Sequence, residues 1–344
     1  MRRAIISVFI LIGILLLGAC SNQSSEEEKK TLKINTTVYP LQYFTERIAG
    51  EKAEVNSILP AGSDAHSYEP STKEMVKLAE AEAFIYNGAG LESYAEKISD
   101  AIESEDVAIL EAANGLDLEK SGHSHDEEEN HDDDHVYEEE SHSDENSHEE
   151  GNGEQDSHDE KESHEGHDHG ENDPHIWLDP VRSIQLAENI KEMLVELQPE
   201  SEEQFNENFE ALKAELEELD KKFHDEVAGQ DKKEIIVSHA AYGYWEQAYG
   251  IEQIAVSGLS PTNEPSQKEL ENIIKTAEEN DLNYVLFEQN ITPKVSEVVQ
   301  KEIGAEPLRV HNLSVLTEED IEAEEDYFSL MNKNINVLNQ ALTE

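Results

Sequence analysis

A long acidic, histidine-rich stretch over residues 121–172 constrains the fold of this chain more than any other feature. It contains almost no apolar side chains, so it cannot bury enough surface to offset the entropy lost on ordering. We therefore predict that it is disordered and that it interrupts an otherwise globular chain. A structureless insertion of this length inside a compact chain is usually functional or a linker.

Outside the insertion, short apolar runs alternate with helical patterns. Strand candidates lie at 32–38, 54–59, 83–87, 107–111, 234–238, 251–256, 284–288 and 307–310. Helix candidates lie between them; Ser71 and Glu74, for example, form a capping-box pattern that opens a helix over 72–81. Strands that alternate with helices predict parallel-type sheets flanked by helices, which is the α/β class.

The longest helical pattern covers residues 201–228 and contains no glycine or proline. Its apolar residues repeat every three or four positions, at Phe205, Phe209, Leu212, Leu216, Leu219 and Phe223. At ~1.5 Å per residue this helix would run roughly 40 Å, which is long enough to connect two lobes. We predict an N-terminal lobe over 31–200, which contains the insertion, a connecting helix over 201–228 and a C-terminal lobe over 229–344.

The first residues indicate export. Arg2 and Arg3 precede an apolar run over 4–17, and small residues lead to Cys20, as in a secretory signal. Residues 17–20 also resemble the lipobox of bacterial lipoproteins, in which the signal is cleaved before a lipid-modified cysteine. We predict a signal over 1–20, a tether over 21–30 and a lipid on Cys20, which would hold the protein at the extracellular face of the cytoplasmic membrane. An ordinary cleaved signal with an incidental cysteine is the alternative.

The charge balance restricts the class of partner. Lys plus Arg number 25 against 80 Asp plus Glu, giving a formal net charge of −55. Nucleic-acid binding needs basic patches, so we predict no nucleic-acid partner. Such a charge favours cations.

Histidines outside the insertion stand at positions expected of a ligand site. They are His66, His175, His224, His239 and His311. His239 and His311 directly follow predicted strands, Glu288 closes another, and His66 lies on a loop after a fourth. Ligands of open α/β sheets bind beyond the carboxyl ends of strands, so we expect several of these side chains to meet there. His175 lies in a polar, aromatic corner, and His224 lies within the long helix and looks solvated.

Several imidazoles that converge on one point are hard to explain without a metal. Neutral imidazoles suit zinc, copper or nickel, and the lack of thiolate ligands disfavours Cu(I). Zinc accepts histidine nitrogens and carboxylate oxygens, usually four in a tetrahedron. For any single histidine, a hydrogen-bonded or merely exposed side chain is the competing explanation.

The insertion carries its own metal-binding signal. His-x-His occurs at His123/His125 and at His167/His169, among many carboxylates. Histidine-rich tracts are typical of metal binding, although acidic segments also serve only to keep a protein soluble. A flexible chain loses entropy when it wraps a metal, so we predict that this segment samples or buffers zinc weakly.

Four motifs together resemble the zinc-binding extracellular receptors of bacterial ABC importers. They lie at 62–70, 173–180, 238–244 and 257–266. The resemblance covers nearly the whole mature chain, and a histidine-rich insertion just before the second ligand histidine is typical of the zinc members. It implies two α/β lobes with a long helix between them, and a zinc ion in the cleft held by His66, His175 and His239. It also implies a monomeric receptor that delivers zinc to an ABC permease and its ATPase.

The fourth metal ligand departs from the pattern of this family. Many relatives place Asp or Glu in the stretch that corresponds to 309–317, which has no carboxylate here. Water, His311, Glu288 or a group from the insertion remain as alternatives. Three histidines still favour zinc over manganese, whose receptors typically use two histidines and two carboxylates.

Two other functions use the same residues. A zinc hydrolase also has three protein ligands and a water, but the chain has no His-Glu-x-x-His pattern and no base placed by spacing, so we predict no enzyme activity. A zinc-buffering or adhesion lipoprotein would use the same site, and the sequence does not separate it from a transport receptor.

Overall fold

The computed structural model describes residues 31–102, 105–119 and 172–343. The predicted signal, Cys20, the tether and the insertion up to residue 171 lie outside these residues. Among the helices of the described ranges, none is both long enough and apolar enough to cross a membrane.

The N-terminal lobe is built on a sheet of four parallel strands. These are β1 (Leu32–Thr36), β2 (Ala53–Ser57), β3 (Ala83–Tyr86) and β4 (Ala108–Glu111). Their order in the sheet is β2-β1-β3-β4. The first strand is shorter than the predicted run over 32–38 because Val38 already serves as the N-cap of the next helix.

The C-terminal lobe repeats this arrangement. Its parallel strands are β5 (Glu234–His239), β6 (Glu252–Ser257), β7 (Tyr284–Glu288) and β8 (Glu306–Val310). Their order is β6-β5-β7-β8, so the chain crosses from β6 past β5 to β7, and the strand order reverses between the neighbouring strands β5 and β7. Ligand sites in such sheets lie outside the carboxyl ends of the strands at this point.

Helices flank both sheets, as the α/β prediction requires. They are α1 (Tyr39–Ala49), α2 (Thr72–Ala79), α3 (Ala95–Ile102), α4 (Pro180–Leu197), α5 (Glu202–Phe223), α6 (Gly243–Tyr249), α7 (Gln267–Glu279), α8 (Lys294–Glu302), α9 (Glu318–Glu322) and α10 (Tyr327–Thr343). The predicted capping box of α2 is confirmed, since Ser71 and Glu74 each bond the other's backbone N–H. Equivalent boxes open α7 and α9.

The long helix α5 links the two lobes, as predicted. Its apolar stripe is buried from Phe205 to Phe223, which explains why the helix forms against the rest of the protein. The regular α-helix is shorter than the predicted range, because the chain widens into a π-helical turn over His224–Ala228. Val227 in this turn stays fully buried, and Gly229 follows it.

The largest apolar core of the described residues runs through both lobes, and each lobe also has a smaller core of its own. Phe44 of α1 packs edge-on against Tyr327 of α10, with ring centroids 5.1 Å apart. The Tyr327 hydroxyl donates a 2.7 Å hydrogen bond to the backbone carbonyl of Trp177. Both rings are fully buried. Helix α10 therefore packs against the N-terminal lobe, and the seam between the lobes is a packed interior.

Candidate metal centre

His66 lies on a loop that follows β2 and is shaped by Asp64. One Asp64 carboxylate oxygen accepts the His66 backbone N–H at 3.1 Å, and the other accepts the Ser67 hydroxyl at 2.6 Å. Short side chains that bond nearby backbone in this way favour turns over helix or strand. The C-terminal lobe also holds the loop: Gly62 N–H donates to the carbonyl of Leu316 at 2.9 Å.

His175 is buried beside the seam and is oriented by Asp173. The carboxylate Oδ1 of Asp173 lies 2.8 Å from His175 Nδ1 and also accepts the His175 backbone N–H at 3.0 Å. Asn87 donates its side-chain amide to the carbonyl of Pro174 at 2.9 Å and so holds the same corner. The Trp177 indole N–H donates to the carbonyl of Asn312 at 2.7 Å, which ties the corner to the C-terminal lobe.

His239 is the last residue of β5 and has a carboxylate behind it. Its Nδ1 lies 2.8 Å from Glu288 Oε1, which is within ion-pair distance. The two atoms do not meet the geometry of a hydrogen bond. Both side chains are about 1% exposed. Burial, and then the Glu288 carboxylate, hold the pKa of the neighbouring Tyr242 well above its ordinary value. The Tyr242 phenol is therefore neutral at physiological pH.

The three imidazoles meet at one point between the lobes. His66 Nε2 lies 3.2 Å from His175 Nε2, which lies 3.4 Å from His239 Nε2. One ring nitrogen from each residue falls within 4.8 Å of the others. Since a carboxylate can only accept, Asp173 favours Nδ1–H on His175, which leaves the Nε2 lone pair facing inward, and the Glu288 carboxylate beside His239 Nδ1 favours the same tautomer there. Lone pairs that converge in this way favour a cation between them, so the arrangement fits a metal ion.

Neither protein alternative for the fourth ligand reaches this point. His311 does follow β8, but its Nε2 lies 3.1 Å from Asp320 Oδ2 and its Nδ1 accepts the Leu313 N–H at 2.9 Å. Although burial opposes it, hydrogen bonds from His311 and Thr317 hold the pKa of Asp320 below its ordinary value. Glu288 lies behind His239. Within the residues that the structure describes, the group able to hold a metal is His66, His175 and His239.

Sequence reasoning placed Glu288 at the site as a possible fourth ligand, but it missed the pairing of Glu288 with His239 and the role of Asp173. Asp173 stands two residues before His175 in the motif over 173–180, and that short spacing was the available signal. The pairing of Glu288 with His239 joins two strands far apart in sequence and has no local signature. As predicted, His224 is half-exposed on the linking helix and lies outside the cluster.

Two lobes around a linking helix, with three imidazoles at the seam, define the class of two-lobed metal-binding proteins. The family model described as zinc-uptake complex component A, periplasmic, matches residues 34–341. The chain belongs to this family.

Relatives and solved structures agree with this assignment. The zinc-binding lipoprotein AdcA of Streptococcus pneumoniae is 35% identical over 332 residues, which cover 95% of this chain and 58% of AdcA. The high-affinity zinc uptake system protein ZnuA of Bacillus subtilis is 29% identical over 332 residues, which cover 95% of this chain and 94% of ZnuA. The crystal structure of the Zn(II)-bound ZnuA-like domain of S. pneumoniae AdcA superposes with a TM-score of 0.68 at 30% identity, covering 91% of this chain and all of that one. The chain thus spans under two thirds of its streptococcal relative.

Proposed function

We propose that this protein captures zinc outside the cytoplasmic membrane and delivers it to an ABC permease and its ATPase, without enzyme activity. The observation that carries the proposal is the convergence of three Nε2 atoms, two of them backed by buried carboxylates. In this proposal His66, His175 and His239 are the zinc ligands. Membership of the zinc-uptake family supports zinc as the cargo.

The fourth coordination position is open to water or to a group outside the described residues. Both ring nitrogens of His311 have protein partners, and Glu288 faces the far side of His239. An exchangeable fourth ligand suits a receptor that must release its cargo, whereas structural zinc sites close all four positions.

The remaining parts of the chain complete the proposal. Residues 1–20 direct export, Cys20 carries the lipid and 21–30 form the tether. The insertion over 121–172 samples or buffers zinc. The tight site lies between the lobes over 31–200 and 229–344, which the helix over 201–228 connects. The zinc-binding lipoprotein name of the streptococcal relative supports the anchor.

Growth under zinc limitation tests the transport role. A strain without this protein is expected to stop growing in chelator-treated medium and to recover with added zinc or with the wild-type protein. A chain with alanine at His66, His175 and His239 should not restore growth, whereas the matched variant His224→Ala should. Normal growth of the deletion strain would favour the buffering or adhesion alternative, and rescue by manganese alone would favour a manganese receptor.

Deleting the insertion is expected to leave one tight zinc site. The structure permits the deletion, because Asp173 N–H donates to the carbonyl of Glu119 at 2.8 Å, so the residues that flank the excised segment already lie close together. Zinc per chain, measured by elemental analysis after dialysis, should fall to one while the affinity in chelator competition stays unchanged. Loss of all zinc binding on deletion would contradict the assignment of the tight site.

A further inference from the structure

Gly243 stands where a side chain would collide with the carboxylate that orients His175. It is the first residue of α6, four positions after His239. A Cβ added at Gly243 would lie 2.6 Å from Asp173 Oδ2, closer than real Cβ contacts allow. Its φ lies outside the left-handed region, so the backbone accepts any residue there. The glycine is therefore required for space and not for conformation.

Asp173 has little freedom to move away from such a side chain. Its backbone N–H donates to Glu119, and its backbone carbonyl accepts the Tyr244 hydroxyl at 2.8 Å. Its Oδ1 accepts both the backbone N–H and the ring Nδ1 of His175. The residue is only 3% exposed. Because a carboxylate is planar and rigid, displacing Oδ2 also displaces Oδ1 from the imidazole.

We infer that Gly243 is a positioning residue for zinc binding, which acts through Asp173 on His175. Gly243 connects the proposed ligands of the two lobes, since it follows His239 by one turn and leaves room for Asp173, whose carboxylate orients His175. The inference rests on the proposed zinc-binding function. Partners that orient a ligand histidine typically contribute about 10–100-fold to metal affinity.

The variant Gly243→Ala tests this role. Zinc affinity, measured on the full chain by competition with a chromophoric chelator, is expected to fall about tenfold. The matched control is Gly229→Ala, where an added Cβ meets nothing within 4 Å and φ is also unrestricted. The control is expected to change affinity by less than about twofold, as surface substitutions do. The His175 Nδ1–H proton resonance of the zinc-loaded protein should shift or broaden in Gly243→Ala and stay in place in the control.

A double-mutant cycle separates this role from general destabilisation. In an Asp173→Ala background the carboxylate is gone, so adding Gly243→Ala is expected to change affinity by less than about twofold. Equal losses in both backgrounds, an unchanged affinity in Gly243→Ala, or a Gly243→Ala chain that does not fold would each overturn the inference. If the wild-type chain binds no zinc through its histidines, the proposed function fails first, and that result is visible before any variant is compared.

Discussion

Replacing His175 with alanine is expected to abolish tight zinc binding. His175 is the central imidazole of the cluster, because its Nε2 lies within 3.4 Å of the Nε2 atoms of both His66 and His239. Whole structural zinc sites are worth ~10–16 kcal/mol, so one of four ligands supplies roughly 3 kcal/mol, or about a hundredfold in affinity. The substitution also leaves the Asp173 carboxylate buried without its imidazole partner, which adds to the loss.

Chelator competition measures this effect directly. The chelator must bind tightly enough to keep zinc off weaker sites, so that only the high-affinity site is read. His224→Ala is the matched control, since it removes one imidazole that is half-exposed on the linking helix and should leave the affinity unchanged. An affinity of His175→Ala within threefold of the wild-type value would refute the ligand assignment.

Replacing Trp177 with alanine is expected to have the largest effect on stability. Its ring is fully buried, lies 5.6 Å from the His175 ring and is anchored by its indole N–H to Asn312 across the seam. Removing a buried aromatic side chain costs about 3–5 kcal/mol, and the orphaned carbonyl of Asn312 adds to it. Urea denaturation of the zinc-free protein should show the lower free energy of unfolding, with a melting temperature reduced by on the order of 10 °C.

The neighbouring residue Val181 supplies the control. Its side chain is about half-exposed at the start of α4, so Val181→Ala should change the free energy of unfolding by less than about 0.5 kcal/mol. Trp177→Phe keeps an aromatic ring beside His175 while it removes the hydrogen bond to Asn312 and part of the ring volume, so its loss of stability should lie between those of the other two variants. A Trp177→Ala variant as stable as the Val181 control would show that the seam is not a packed core.

The fold was readable from sequence because its elements have strong local signals. Strands of a parallel sheet are covered on both faces, so they appear as short apolar runs; β7, for example, matches its predicted range and is buried along its whole length. The linking helix was equally clear from its apolar stripe. Its π-helical end over His224–Ala228 was not, because the residues there contain no glycine or proline that would mark a departure from the regular helix.

The site was predictable only in part, and His311 shows why. Its predicted position after β8 matched the rule that placed His239 at the end of β5; His311 does follow β8, and His239 is the last residue of β5. The two side chains then point to different partners, since His311 is taken up by Asp320 of a capping box and His239 lies at the seam. Which way a side chain turns depends on tertiary partners, and no spacing in the chain encodes it. For the same reason the roles of Asp173 and Gly243 emerge only in three dimensions.

The carboxylates behind His175 and His239 also bear on the charge of the ion that the site favours. Asp173 and Glu288 are 3% and 1% exposed, and together they carry a formal charge of −2 into an interior that solvates charge poorly. With three neutral imidazoles, a doubly charged cation would bring these five groups to a formal charge of zero. A monovalent ion would leave a net negative charge among them and a trivalent ion a net positive one, so the buried carboxylates favour a divalent ion.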